Sequence, residues 1–220
     1  MLIKIAGRVR GLFAGNYPEN REDEQFHVNS RGDQLVAQAL PERTEIVRLG
    51  DSWQVMTSTA TAAGTALPTT TGALNLWNGE QSNGKSYVID RVQATEVVVD
   101  ATQSNMTAVF ACLVRPPVTA PTDAALTIRS LSGRNSYAGR ARTTVNASVT
   151  NDGWFPIGTS APVAAAAAGS AWKVTDIPIN GLYIVPPGGQ FCVQAAKVAA
   201  TASQMQFSIV WHEVQLIVRS

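Results

Sequence analysis

Charge is scarce in this sequence of 220 residues. Only 15% of the residues are charged, 17 of them basic and 16 acidic, whereas soluble domains usually carry about 25%. A monomer with so few charges would expose much neutral surface to water, so the deficit favours a protein that covers its surface with copies of itself or with a partner. The net charge of +1 provides no overall field that would attract nucleic acid or an anionic membrane.

Long hydrophobic runs are also lacking. No stretch approaches the roughly 18 uninterrupted apolar residues that a membrane-spanning helix requires. Residues 1–15 have charged side chains scattered among the apolar ones, so they lack the apolar centre of a signal peptide. We therefore expect the protein to be made and assembled in the cytoplasm, without contact with a membrane.

The sequence contains only two cysteines and two histidines. Cys112 and Cys192 lie in apolar runs, which predicts buried free thiols; a disulfide between neighbouring strands is the alternative, and cytoplasmic assembly argues against it. His27 and His212 are far apart and no CxxC or HxxxH spacing occurs, so the sequence offers no ligand set for a zinc site. It also nominates no histidine for a catalytic triad. We expect no catalytic residues, no metal and no cofactor.

The charged residues concentrate near the N-terminus. Fourteen of the 33 precede residue 50. Residues 57–72 follow; they carry no charge and consist mainly of Thr, Ala and Gly, with one Ser, one Leu and one Pro. Such a composition is typical of an extended linker or a loosely held strand. We predict that residues 1–72 form an attachment arm or a small subdomain with its linker, and that residues 73–220 form the main domain.

The main domain has the pattern of β-strands. Residues 86–100 are rich in β-branched side chains, and residues 105–115 are apolar without helical spacing. Apolar and polar residues alternate over residues 205–211, and the alternation resumes one step out of phase at Val214, which predicts a β-bulge near His212–Glu213. Only residues 32–43 and 161–172 have helical propensity. With Asn, Gly and Pro between the strands, the sequence predicts an all-β fold, an antiparallel jelly roll or β-sandwich.

One motif matches a nucleotide-binding expression. Residues 79–86, GEQSNGKS, fit the phosphate-binding loop G-x-x-x-x-G-K-[ST] letter for letter. That loop functions only when a helix follows it and holds the phosphate at its N-terminus. Here a β-branched segment follows, and Asn-Gly pairs at both ends favour the loop of a β-hairpin. We interpret the match as coincidence.

Arginines and aromatic residues are the candidates for contacts with partners. A stretch without acids, between Asp123 and Asp152, contains four arginines; a single-stranded nucleic acid is one possible ligand for it, but the neutral overall charge and the scarcity of aromatics favour a loop that contacts protein. The predicted contacts to a protein lattice are Arg8, Arg10, Arg21, Arg31, Arg129, Arg134, Arg140 and Arg142. The predicted oligomer interface contains Trp154, Phe155 and Trp172.

Residues 176–191 have the order of a strand, a Pro-Gly corner and a return strand, and residues 207–218 form a closing strand. With the charge-poor composition rich in Ala, Thr, Gly and Ser, this C-terminal part resembles the later strands of jelly-roll virion proteins from tailed bacteriophages, especially capsid decoration (cement) and head-fibre proteins. The resemblance covers residues 73–220. It implies an oligomer, usually a trimer, seated on a shell of major capsid protein, and it carries no catalytic residues.

The resulting hypothesis is a non-enzymatic virion protein that oligomerises and stabilises a phage shell. The alternative is a receptor- or glycan-binding tail or fibre module, in which Trp77, with Asn75, Asn78 and Glu80 around it, would form an aromatic platform for a sugar. An enzyme acting on nucleotides or sugars is a third class, for which no motif occurs in the required context.

Overall fold

The computed structural model describes residues 43–98, 107–122, 125–133, 136–160, 173–197 and 204–216. Within these ranges the chain forms one short helix and twelve strands. The helix is α1 (Thr44–Leu49), and the strands are β1 (Ser52–Met56), β2 (Thr61–Ala62), β3 (Thr71–Asn78), β4 (Ser86–Val98), β5 (Thr107–Val114), β6 (Arg129–Ser130), β7 (Ala141–Ser148), β8 (Phe155–Ser160), β9 (Lys173–Pro178), β10 (Ile184–Val185), β11 (Gln190–Lys197) and β12 (Gln204–Val214).

The strands form two antiparallel sheets. In the first sheet β4 and β12 are the central pair; β9 and β10 share the outer side of β4, β1 and β2 share the outer side of β12, and β6 extends the sheet beyond β1. The second sheet has the order β7-β3-β11-β5-β8. All the paired strands run antiparallel.

This order is that of a jelly roll. When β1 with β2, and β9 with β10, are each counted as one strand, the eight strands of the fold are distributed over the two sheets as two interleaved Greek keys. The predicted all-β jelly-roll sandwich is therefore confirmed. The additional strands β6 and β7 both come from residues 115–154, the segment between β5 and β8, which we call the insertion. They extend the two sheets beside β1 and β3.

The other side of the sandwich has no such extension. Within the described residues β8 pairs only with β5, and β9 and β10 pair only with β4. We call β8, β9 and β10 the free edge. A Cβ atom built on Gly158 of β8 would lie 2.7 Å from Cδ1 of Ile177 on β9, so the two sheets pack closely along this edge.

The core lies between the sheets and follows the period-2 pattern of the strands. In β12 the side chains of Phe207, Ile209 and Trp211 point inward and are buried. They pack with inward residues of the other sheet such as Leu74 and Phe191. Burial of this apolar surface, at about 25 cal/mol for each Å², is the main source of stability for the fold.

The predicted bulge near His212–Glu213 was assigned to the wrong strand: a register shift occurs next to it, between Val210 and Trp211, but β12 carries no extra residue there. The inward alternation of β12 continues without interruption through Trp211 to Glu213, which is itself buried. The register shift lies on the partner strand, where Trp211 pairs with Ile89 and Val210 with Arg91, leaving Asp90 as the extra residue. A buried carboxylate at an inward position produced the apparent change of phase in the sequence.

The loop of residues 79–85 joins the two sheets. It connects β3 in the second sheet to β4 in the first, so the interpretation as a hairpin loop is wrong. Strand β4 begins at Ser86, at the point where a phosphate-binding loop would require a helix.

Part of the predicted arm and linker belongs to the sandwich, because β1 and β2 precede residue 73 and both pair with β12. Residues 1–42 lie outside the described ranges, so the predicted two-part organisation stays a prediction there. The predicted helix at 161–172 and nearly all of the one at 32–43 also lie outside, and the helix present, α1, was not predicted. Over the described part of the chain, no helix has the length and hydropathy to cross a membrane.

Two leucines provide a matched test of this core. Leu74→Ala should lower the free energy of unfolding by about 2–5 kcal/mol, because the fully buried side chain leaves a cavity. Leu67→Ala, at a side chain that is 70% exposed, should change it by no more than about 0.5 kcal/mol. Urea denaturation measures both values, and equal losses would contradict the assignment of the core.

Candidate functional site

A group of polar side chains closes one end of the core. Glu213 occupies the inward position that follows Trp211 in β12. Its Oε1 accepts a hydrogen bond from the Tyr137 hydroxyl at 2.8 Å, and its Oε2 lies 3.5 Å from Lys85 Nζ. Lys85 Nζ also lies 3.2 Å from Asp51 Oδ1. We call these four residues the Glu213 cluster.

Tyr137 connects the insertion to the sandwich through this cluster. Besides donating to Glu213, its hydroxyl accepts a hydrogen bond from the Ala141 amide at 2.8 Å and lies 3.4 Å from the hydroxyl of Tyr87 on β4. Its ring meets Trp53 of β1 edge-on, with centroids 4.8 Å apart. One side chain of the insertion is thus held by β1, β4 and β12.

In the Glu213 cluster a buried carboxyl group is paired with a partly exposed lysine. Burial raises the pKa of Glu213, and the Tyr137 hydroxyl and the Lys85 ammonium offset part of the rise. Burial lowers the pKa of Lys85, but the carboxylates of Asp51 and Glu213 outweigh it and the net shift is upward. Burial also raises the pKa values of Tyr87 and Tyr137, so both phenols stay neutral. The cluster therefore contains a paired cation and neutral hydroxyls, with neither an activated nucleophile nor a free base.

A cavity of about 630 Å³ adjoins the cluster and opens to solvent. Trp53, Glu80, Lys85 and Glu213 are among the residues that line it. Among the described residues, no group of three or more His, Cys, Asp or Glu could hold a metal ion.

A second polar group lies at the bulge of β4. The buried carboxylate of Asp90 has Oδ2 at 2.9 Å from His212 Nδ1 and Oδ1 at 3.3 Å from Arg43 Nη1. Arg43 also donates from Nη2 to Asn180 Oδ1 at 3.0 Å. Because Arg43 immediately precedes α1, this group fixes the start of the described chain to the first sheet.

A third polar pair closes the other end of the core. Lys197 Nζ of β11 lies 3.6 Å from Glu96 Oε1 of β4, and both side chains are buried. The two residues belong to opposite sheets, so the pair joins the sheets directly. Buried charges therefore bound the apolar core at both ends.

The residues proposed for a sugar platform do not assemble as one. Asn75 and Asn78 are fully buried, and Asn78 Nδ2 donates to the backbone carbonyls of Lys85 and Val185, each at 2.9 Å. The indole nitrogen of Trp77 donates to the Val118 carbonyl at 3.1 Å. Of the four, only Glu80 lines the cavity, and the half-buried Trp77 is held against the insertion by its bond to Val118.

Three of the predicted lattice arginines lie on the insertion. Arg129 is in β6, Arg140 directly precedes β7 and Arg142 is in β7, and all three are exposed; Arg142 Nη1 donates to the Pro121 carbonyl at 2.7 Å. They belong to the side of the sandwich opposite the free edge. The others, Arg8, Arg10, Arg21, Arg31 and Arg134, lie outside the described residues, and a role in lattice contacts stays a prediction for all eight.

The predicted interface aromatics have different environments. Phe155, at the start of β8, is 59% exposed. Trp154 is half-buried, and its indole nitrogen donates to the Thr69 carbonyl at 2.9 Å. Trp172 lies outside the described residues. Their role in an interface stays a prediction.

The free edge carries exposed apolar side chains that sequence reasoning missed. Val174 of β9 is 57% exposed, Leu182 between β9 and β10 is 83% exposed, and Ile184 of β10 is 39% exposed. They belong to the same free edge as Phe155. A signal for Leu182 existed in its place directly after Asn180–Gly181, the tip of a turn closed by the hydrogen bond from the Leu182 amide to the Ile179 carbonyl, because polar residues are usual around such turns.

The strands of the free edge contain features that disfavour the addition of a further strand. Pro156 in β8 and Pro178 in β9 lack an amide hydrogen, and a register irregularity between Val109 and Phe110 disturbs the pairing of β8 with β5. Prolines and bulges on edge strands prevent the uncontrolled addition of further strands. The free edge is therefore built for contacts between side chains.

Glu213 predicts a pH dependence of stability. Because its pKa is higher in the folded chain than its ordinary value of 4.5, the folded state holds its proton more tightly than the unfolded state. This contribution to stability is complete below the ordinary pKa and is lost as the pH rises through the folded pKa. As the pH rises from the ordinary pKa to the folded pKa, the free energy of unfolding of the wild-type chain should decrease relative to that of Glu213→Gln.

Tyr137→Phe tests the cause of this shift. The hydroxyl of Tyr137 lowers the pKa of Glu213, so its removal should extend the window of stability loss to higher pH. Chemical denaturation over a pH series measures all three proteins. Parallel pH profiles for wild type and Glu213→Gln would contradict the assigned environment of Glu213.

Comparisons with known proteins give limited information. No protein-family profile matches the sequence, and no curated protein matches it. The chain is similar to a solved structure of a marine algae virus of the order Picornavirales, with 13% identity over 99% of this chain and 92% of that one and a TM-score of 0.27. It is also similar to the cryo-EM structure of Mud Crab Dicistrovirus, with 10% identity over 100% and 95% of the chains and a TM-score of 0.21. Likenesses this weak carry no argument, and the fold assignment rests on the sheet order.

Proposed function

We propose that this chain is a non-enzymatic structural protein of a virion, a decoration or cement protein that oligomerises and stabilises the capsid of a tailed bacteriophage. The free edge is the observation that carries the proposal. It presents apolar side chains that a monomer would leave in water, on strands whose backbone is protected against further pairing.

Covering the free edge favours a closed oligomer. Leu182 and Phe155 expose most of their side chains, and their burial against a neighbour would contribute about 25 cal/mol for each Å² of apolar surface removed from water. An edge that packs against a different surface of the next subunit generates a ring when the rotation closes. We propose a homotrimer arranged around a threefold axis, the oligomer that the phage-protein resemblance implies.

The opposite side of the sandwich is suited to contact with the shell. Arg129, Arg140 and Arg142 are exposed there, and their guanidinium groups can bind carboxylates of an acidic capsid surface in a bidentate manner. The free edge and the insertion would then have separate tasks, one toward the other subunits of the trimer and the other toward the major capsid protein.

Residues 1–42 would act as the attachment arm. Arg43 pairs with the buried Asp90 and so fixes the place where the arm leaves the sandwich. An arm held at this point can lie along neighbouring capsid subunits and bridge them. Each bridge adds buried area at a junction of the shell, which resists the outward pressure of packed DNA.

The polar groups support a role without catalysis. Lys85 is paired with two carboxylates, and both tyrosines of the site are neutral, so the Glu213 cluster fastens the insertion to the sandwich and activates no nucleophile. A receptor- or glycan-binding tail or fibre module is the second candidate. The burial of Asn75 and Asn78 removes the platform that favoured it, and no other observation supports it.

Substitutions on the free edge test the oligomer. The double variant Phe155→Ser with Leu182→Ser should shift the native mass from trimer to monomer at a concentration where the wild type is trimeric, because the apolar contacts are lost. Leu67→Ser, at a leucine that is 70% exposed and lies outside β8, β9 and β10, is the control and should stay trimeric. Sedimentation equilibrium measures the masses, and a double variant that stays trimeric would refute this interface.

A truncation tests the arm. Removal of residues 1–42 should leave a folded trimer that no longer cosediments with shells of the virus that encodes the protein. The truncation has to spare Arg43, because of its pair with Asp90, and α1, because the Ile46 carbonyl accepts a hydrogen bond from the Asp51 amide at 3.3 Å. A truncated protein that still binds shells would show that the arm is not the attachment element.

A further inference from the structure

The two cysteines are opposite each other in the second sheet. Cys112 of β5 and Cys192 of β11 are direct register partners on neighbouring strands. Both are free thiols and fully buried. They lie on the outer face of the sheet, beneath the half-buried side chains of Val118 and Trp154 from the insertion.

The backbone already has the geometry that a disulfide requires. Directly opposite residues in an antiparallel pair have Cα atoms about 4.5–5.5 Å apart, and disulfides span Cα distances of about 4.4–6.8 Å. The register of β5 and β11 is fixed by eight consecutive residue pairs. Cys192 is also confined from the other side, since a Cβ atom built on Gly72 would lie 3.1 Å from its Cβ.

We propose that Cys112 and Cys192 are an oxidation site that forms a cross-strand disulfide when the protein meets hydrogen peroxide. In the first step the Cys112 sulfur attacks the peroxide, the O–O bond breaks, and a sulfenic acid and one water form. In the second step the Cys192 sulfur attacks the sulfenic sulfur, and a disulfide and a second water form. Two thiols are oxidised and one peroxide is reduced.

The surroundings of the two sulfurs give the order of these steps. Cys112 Sγ is buried but lies 3.9 Å from the Thr150 carbonyl, and residues 150–152 are exposed, so a local opening of this turn would admit a small oxidant to Cys112 before Cys192. Cys192 is enclosed between β3 and β5. Burial raises the pKa of both thiols, and it raises that of Cys192 well above its ordinary value, so the thiolate is less disfavoured at Cys112 than at Cys192.

The bond would strengthen the sheet without altering the fold. It would close a long loop between the two cysteines, which restricts the unfolded chain. Its biological use rests on the proposed function: the thiols stay reduced while particles assemble in the cytoplasm and oxidise after release, which hardens the decorated shell. Formation of the disulfide does not depend on the proposed function. If the disulfide does not form, the proposed structural role in a virion is unaffected.

The test uses the full-length protein and hydrogen peroxide, followed by catalase, denaturation and alkylation. The proposal expects an intact mass lower by two hydrogens, no alkylated cysteine, a linked peptide pair containing both cysteines, and a Tm raised by several degrees that dithiothreitol reverses. Two free thiols after prolonged treatment, or disulfides only between chains, would overturn it.

Alanine variants distinguish a matched pair from two independent thiols. In Cys192→Ala, Cys112 should stop at a sulfenic acid that dimedone traps. In Cys112→Ala, Cys192 should stay unmodified under the same treatment, because it is the more enclosed of the two. Equal dimedone labelling of both variants would refute the proposed order, and a Tm rise in either variant would refute the disulfide as its cause.

Discussion

The pairing of β4 with β12 determines the arrangement of the rest of the sandwich. These are the two longest strands, of 13 and 11 residues, and they form the centre of the first sheet. The outer side of β12 binds β1 and β2, and the outer side of β4 binds β9 and β10, so both edges of the sheet depend on this one register. The bulge at Asp90 shifts the alternation of β4 by one residue. Tyr87 and Ile89 before it and Val92 and Ala94 after it therefore all point into the core.

Buried charges have a consistent task in this fold. The Glu213 cluster, the group around Asp90 and the pair of Glu96 with Lys197 each join parts of the chain that are distant in sequence. Burying charges costs solvation energy, and an apolar replacement is often as stable. Here the charges join the insertion, the N-terminal segment and the two sheets at defined places.

The fold class could be predicted because it depends on local patterns. The alternation over residues 205–211 and the β-branched run of β4 identify strands directly. Glu213 and the two buried asparagines could not be predicted, because their burial depends on partners from distant segments that no local pattern shows. The extension of both sheets by the insertion was missed for the same reason, since β6 has only two residues and forms through its contact with β1. The exposed apolar residues Val174, Leu182 and Ile184 could not be identified, because the local pattern does not show which strands lie at the edge of the sandwich.

Cryo-EM of particles that carry the chain tests the central claim of a shell-bound structural protein most directly. The account predicts jelly-roll density on the capsid surface, grouped around a threefold axis, with β8, β9 and β10 facing the axis and the arginines of the insertion facing the shell. Particles that lack this density, or subunits that meet through the insertion while β8 to β10 stay in solvent, would contradict it.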